Sequence, residues 1–112
     1  MNDELSILWT NDNPITTEKM VFLYGHNAKK KGWWKEVTVI VWGATAQLAA
    51  DDPAIQARIK EMIADGVRFS ACKACSDQLG VTETLESLGI ETKYWGQPLT
   101  ELIRGGAPLL TL

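Results

Sequence analysis

Apolar residues gather along this chain in short runs with two rhythms, and each change of rhythm marks a change of element. The densest run is Val37-Thr38-Val39-Ile40-Val41-Trp42. β-Branched residues dominate it, which suits a pleated strand. Its near-continuous apolar character suits a central parallel strand covered on both faces. Leu5-Ser6-Ile7-Leu8-Trp9 and Val67-Arg68-Phe69-Ser70-Ala71-Cys72 read as two further strands. Thr92-Lys93-Tyr94-Trp95 reads as a short fourth, and Leu109-Leu110-Thr111-Leu112 as a weak fifth.

Between these runs the spacing becomes helical. Asn13 before Pro14 is a start signal, a capping side chain followed by a ring whose missing N–H costs nothing there. Met20, Leu23 and Tyr24 then lie on one face, Val21 and Phe22 widen the apolar surface beyond one stripe and point to a second contact, and Gly25 is the stop. Asp52-Pro53 is a second start signal. Ile55, Ile59, Met62 and Ile63 recur after it at the spacing of one helix face, up to Gly66. Ala44 to Ala50 adds a helical turn or two. Thr82 is expected to cap a helix through Leu85 and Leu88 to Gly89. Pro98 opens a last helix through Leu99, Leu102 and Ile103 to Gly105.

Strands alternate with helices along the whole chain. Right-handed crossovers then predict an α/β fold, three-layer α/β/α, on a mostly parallel five-stranded sheet. The 112 residues suit a single domain spanning 1–112. A chain of this size buries about two-thirds of its unfolded surface, enough for a core without disulfides or a structural metal.

Charge narrows the function. The net charge of −3 argues against a nucleic-acid partner, which would select a basic footprint. The one basic run, Lys29-Lys30-Lys31, reads as a solvated loop after a helix. The acidic start, Met1-Asn2-Asp3-Glu4, lacks the positive region of a secretory signal. No apolar run approaches the roughly 20 residues that span a bilayer, so no membrane partner is expected. The expected location is cytoplasmic, where the two cysteines stay reduced and reactivity is their better use.

In open parallel sheets, ligands bind outside the carboxyl ends of the strands. That rule selects Trp9, Trp42, Cys72 and Trp95. The tryptophans serve equally well as core plugs or interface residues; their functional reading is an apolar wall lining a pocket around a reactive thiol. Cys72-Lys73-Ala74-Cys75 is the sharpest local motif. A helix beginning here would aim its positive end at the Cys72 sulfur, and Lys73 would add charge, both favouring the thiolate. Cys72 is therefore expected to react faster than Cys75. A lone C-x-x-C also occurs as half of a metal site or as two small packed residues. With no second cysteine pair, and His26 the one histidine, no metal site is expected. No phosphate-cradling glycine loop is present, and no cofactor is expected. His26 reads as a surface residue stabilising a helix C-terminus, and Asp51 and Asp52 as helix-capping carboxylates.

The segment Val67 to Val81 resembles the part of DsrE-like proteins that carries the sulfur-accepting cysteine. There a cysteine at the end of the third strand opens a short helix that closes with Gly-Val, and Cys72, Gly80 and Val81 match that placement. Tyr94-Trp95-Gly96-Gln97-Pro98-Leu99-Thr100-Glu101-Leu102 and Val41-Trp42-Gly43 resemble the compact members of the family. The resemblance implies a DsrEFH-like domain of flavodoxin-like architecture that assembles into trimers or hexamers. It implies that Cys72 accepts sulfane sulfur as a persulfide, with a sulfur-donor or sulfur-acceptor protein as partner. Cys75 is a departure, since the relay subunits need no second cysteine there. The leading expectation is a cytoplasmic sulfur carrier of sulfurtransferase type, with Cys75 a resolving or auxiliary thiol and Lys73 an activator. The alternatives are a dithiol redox protein cycling Cys72 and Cys75, and a noncatalytic oligomeric binding domain. Self-association is also expected from the apolar surface at Met20 to Tyr24 and from Trp33-Trp34.

Overall fold

The computed structural model describes residues 3–112; Met1 and Asn2, which open the acidic start, lie outside the described residues. Five strands form one sheet: β1 (Glu4–Trp9), β2 (Glu36–Val41), β3 (Arg68–Cys72), β4 (Glu91–Lys93) and β5 (Leu109–Thr111). Their order is β4-β3-β2-β1-β5, and every pairing is parallel. The helices are α1 (Pro14–Thr16), a π segment (Thr17–Phe22), α2 (Leu23–Lys30), α3 (Ala44–Asp51), α4 (Pro53–Ala64), α5 (Lys73–Leu79), α6 (Thr82–Ser87) and α7 (Gly96–Arg104).

The strand order dictates the layers. From β1 to β4 the chain steps in one direction across the sheet; from β4 to β5 it returns past β1 to the opposite edge. With right-handed crossovers, opposite directions put their helices on opposite faces. Leu5, Ile7 and Trp9 of β1, Val37, Val39 and Val41 of β2, and Phe69 and Ala71 of β3 face a large core against the π segment, α2, α3, α4 and α6. Phe22 is its aromatic centre, packed edge-on to Trp9 at 5.1 Å and to Phe69 at 5.9 Å between ring centroids. The second face is covered by α7 alone, where Leu99 and Leu102 pack on Leu8, Ile40 and Trp95. The alternation of side chains along a strand makes this division strict.

The first helical stretch departs from expectation. Asn13 caps it as predicted, its side-chain oxygen accepting from the N–H groups of Ile15 and Thr16. The π segment then inserts a wider turn, which rotates the apolar stripe. Val21 and Phe22 are the buried pair, whereas Met20 and Leu23 on the other apolar face are 38% and 50% exposed. Gly25 does not stop the helix but lies inside α2. A Cβ there would stand 3.3 Å from Ile7 Cδ1, so glycine lets the helix approach the sheet. His26 is therefore not a surface residue at a helix end. It is buried in mid-helix, its Nε2 bonded to Asp65 at 2.7 Å, tying α2 to the end of α4. Lys29 and Lys30 close α2 rather than forming a loop, and Lys29 Nζ donates to the Lys35 carbonyl at 2.7 Å.

Elsewhere the boundaries move by a residue or two. Asp52 caps α4 as expected. Thr82 is the first residue of α6 rather than its cap, and its hydroxyl bonds Asp77 and Ser76 instead. β4 ends at Lys93, so Trp95 stands beyond the strand, at the start of α7, which opens before Pro98. Among the described residues, no helix is long and apolar enough to cross a membrane.

Candidate functional site: the cysteine pair at the end of β3

Alternation along β3 decides where Cys72 points. Phe69 and Ala71 enter the large core, so Ser70 and Cys72 face the α7 side. The chain passes from β3 into α5 with no intervening loop. Cys72 takes the cap position with an extended backbone (φ −67°, ψ 112°), and its side chain makes no capping bond. Its sulfur lies with Ile40 and Trp95, ringed by the partly buried Leu8, Trp42, Cys75, Leu99 and Leu102. Cys72 is only 4% exposed.

Trp95 closes this nest and is itself held in place. Its Nε1–H donates to Ser70 Oγ at 2.8 Å, and Ser70 Oγ donates to Glu91 Oε1 at 2.9 Å. The Lys93 ammonium lies over the Trp95 ring, 4.6 Å from its centroid, and Lys93 is the register partner of Cys72. Trp42 joins the nest from the end of β2. Trp9 does not. It belongs to the opposite face, where its Nε1–H reaches Thr17 Oγ1 at 3.2 Å. The structure thus brings together two of the three tryptophans expected to line the pocket.

Cys75 has a different outlook. It is partly exposed and lines a cleft of about 240 Å³ with Gly43, Ala44, Gln47, Gln78 and Leu79. Burial pushes its thiol above the ordinary thiol range, the Gly43 N–H pulls it down, and hydrogen bonding to Cys72 pushes it up again. Gly43 starts α3 at φ 70°, a conformation that favours glycine. Thr45 pins this turn: its hydroxyl donates to the Trp9 carbonyl at 2.7 Å and accepts from the Trp42 N–H at 3.2 Å.

Lys73 is turned to another use. Its ammonium pairs with Asp77 at 2.9 Å, one turn along α5. The Asp77 side chain raises the Lys73 ammonium above its ordinary value, while the Thr82 hydroxyl and Lys73 hold the Asp77 carboxyl below its own. The charge expected to serve Cys72 is engaged within α5, on the carboxylate that the Thr82 hydroxyl of α6 also bonds. Sequence reasoning missed Ser70, Thr45, Gln47 and Gln78. The alternating pattern of β3 could have flagged Ser70, because a hydroxyl in a parallel strand covered on both faces needs a partner.

A larger groove, about 690 Å³, lies on the same face at the opposite end of the strands, with Ser6, Thr38 and Ser70 on its floor and α7 as one wall. Among the described residues, no three His, Cys, Asp or Glu side chains converge as a metal site.

No curated protein matches the chain. A solved structure of a conserved protein of unknown function from Bacteroides thetaiotaomicron is similar over 98% of this chain and 95% of that one, at 41% identity and a TM-score of 0.96. The model of the DsrE/DsrF-like family matches residues 10–99, a span that runs from the end of β1 into α7 and contains both cysteines. This chain belongs to the DsrE/DsrF-like family.

Proposed function

We infer that the protein is a sulfur carrier of sulfurtransferase type, and that Cys72 receives sulfane sulfur as a persulfide. The observation that carries this reading is the position of Cys72: at the carboxyl end of β3, at the N-cap position of α5, with a second free thiol three residues on. Membership of the DsrE/DsrF-like family supports a role of the sulfur-relay kind. In the loading step the Cys72 thiolate attacks a sulfane sulfur of the donor. One S–S bond forms at Cys72, the donor's own S–S bond breaks, and the electron pair leaves with the donor's remaining thiolate. The apolar ring of Ile40, Trp42 and Trp95 shields the product from competing thiols. A reducing, cytoplasmic setting belongs to the same reading.

The test separates a carrier from a dithiol couple. After incubation with inorganic polysulfide and desalting, cyanide-labile sulfur is measured on each variant. Cys75→Ser should retain one equivalent per chain and Cys72→Ser none. Equal sulfur on both variants, or none on Cys75→Ser, would defeat the assignment of Cys72.

The reading extends to self-association as a trimer or hexamer. Leu23 and Trp33, 50% and 57% exposed, leave apolar surface on the α2 side that a second copy would cover. Light scattering at micromolar concentration should give a multiple of the chain mass; a strictly monomeric mass would contradict it.

A further inference from the structure

We propose that Cys75 discharges the persulfide of Cys72, releasing the outer sulfur as sulfide and leaving a Cys72–Cys75 disulfide that faces the cleft beside Gly43. This rests on the reading of Cys72 as the sulfur acceptor and concerns the fate of the sulfur after loading.

Three observations point there. The first is reach. Residues three apart at a helix start share one side, with Cβ atoms about 5–6 Å apart. Cys75 packs against the cluster that holds Cys72, and a small backbone adjustment at the non-helical cap residue Cys72 brings the Cβ atoms to the separation of about 3.5–4.5 Å that a disulfide takes. The second is the contrast in exposure. Cys72 is enclosed by Ile40, Trp42 and Trp95, whereas Cys75 opens on a cleft of about 240 Å³. Cys75 attacks in line, so the outer sulfur leaves on the far side of Cys72 Sγ, and the disulfide left behind is open to a reductant through the Cys75 cleft. The third is the Gly43 amide, which bears on the Cys75 sulfur and favours its thiolate. In the unloaded protein burial, and after it Cys72, oppose that thiolate. Loading moves the Cys72 charge outward by one sulfur atom and so weakens the lesser of the two.

The step balances without an outside oxidant. Cys75 attacks the Cys72 Sγ. The Sγ–Sγ bond forms, the bond from Cys72 Sγ to the outer sulfur breaks, and its electron pair leaves with the outer sulfur. That sulfur is reduced to sulfide and takes the proton that Cys75 gives up, while the two cysteines are oxidised to the disulfide. Resetting the pair takes two electrons from a dithiol reductant.

The test uses the reduced full-length chain with glutathione persulfide, a donor whose loading step leaves glutathione rather than sulfide. Sulfide is trapped with monobromobimane and the protein is followed by intact mass. Wild type should release one equivalent of sulfide per chain and lose the mass of two hydrogens, reversibly with dithiothreitol. Cys75→Ser and Cys75→Ala should keep the mass of one added sulfur, with sulfide no faster than from the donor alone. A wild type that holds its added sulfur and releases no sulfide would overturn the discharge step while leaving Cys72 as the acceptor. Persulfide accumulating on Cys75 of the wild type would also overturn it. A glutathione adduct on the Cys75 variants in place of sulfur, or no sulfur on them, would overturn the loading reading and the discharge step together.

Discussion

The two faces of the sheet are built from the same strands and differ in almost everything else. One buries Leu5, Ile7, Val37, Val39 and Phe69 under the π segment and α2, α3, α4 and α6. The other has a single helix, α7, none of whose residues is fully buried. Its sheet residues change from Ser6, Thr38 and Arg68 at one end to Trp42 and Cys72 at the other. Stability is concentrated on the first face and reactive side chains on the second. A thiol placed among the aliphatic residues of the first face would be sealed. On the second it lies one thin layer from solvent.

The sharpest way to break this contrast is to damage the thick face. Phe22 is fully buried and touches both Trp9 and Phe69. Phe22→Ala should cost about 3–5 kcal/mol in urea unfolding. Sulfur uptake by the fraction still folded should not change; uptake lost in proportion to nothing but Phe22 would mean the faces are coupled. Gly25→Ala should cost about 1–3 kcal/mol by overpacking against Ile7, partly offset by about 1 kcal/mol of helix propensity. A stabilised variant would show that α2 has slack against the sheet.

The thin face should answer differently. Trp95→Phe removes the donor to Ser70 and should cost only about 1–2 kcal/mol. It should nonetheless speed alkylation of Cys72 severalfold, because it loosens what covers the sulfur. In hydrogen exchange, the α7 amides should exchange well before those of α4, which carries the buried Ile55, Ile59 and Met62. Equal protection in the two helices would remove the distinction between the faces.

The smallest effect is a pH profile. Burial and Cys72 raise the Cys75 thiol, so its alkylation should rise with pH only above the usual thiol range. In Cys72→Ser the opposition from Cys72 is gone, and the profile should move to lower pH. The sign for stability follows. The folded chain holds the Cys75 proton more tightly than the unfolded chain, so this contribution is present below the thiol range and lost as pH rises through the folded-state value. A profile unmoved in Cys72→Ser would separate the two sulfurs.

The strands and the place of Cys72 were legible in the sequence because both rest on short-range signals: β-branched runs, turn residues between them, and the parallel-sheet rule. The start of the helical stretch from Pro14 to Lys30 was legible too, but its phase and its end were not. A π turn shifts the phase of every residue after it, and nothing in a periodicity computed at helical spacing announces one. Gly25 and His26 were misread for a related reason, since a glycine required by close packing and a histidine bonded to Asp65 look locally like a helix end. Trp9 was grouped with Cys72 by strand end alone, while the side-chain alternation that separates them depends on register. Lys73 was credited to the sulfur because adjacency is visible in sequence, whereas its pairing with Asp77 needs α5 to be formed. The burial of Cys72 likewise depends on Trp95, which comes from beyond β4. Helix position alone does not show this contrast, with the Cys72 sulfur covered and Cys75 open on the cleft beside Gly43.

The most direct measurement is to locate the first sulfur. Wild-type protein is mixed with a sulfane-sulfur donor, quenched with iodoacetamide within the first turnover, digested and read peptide by peptide. The account predicts the added sulfur on Cys72, with Cys75 carrying only the alkyl group. Sulfur on Cys75 with Cys72 alkylated bare would contradict it.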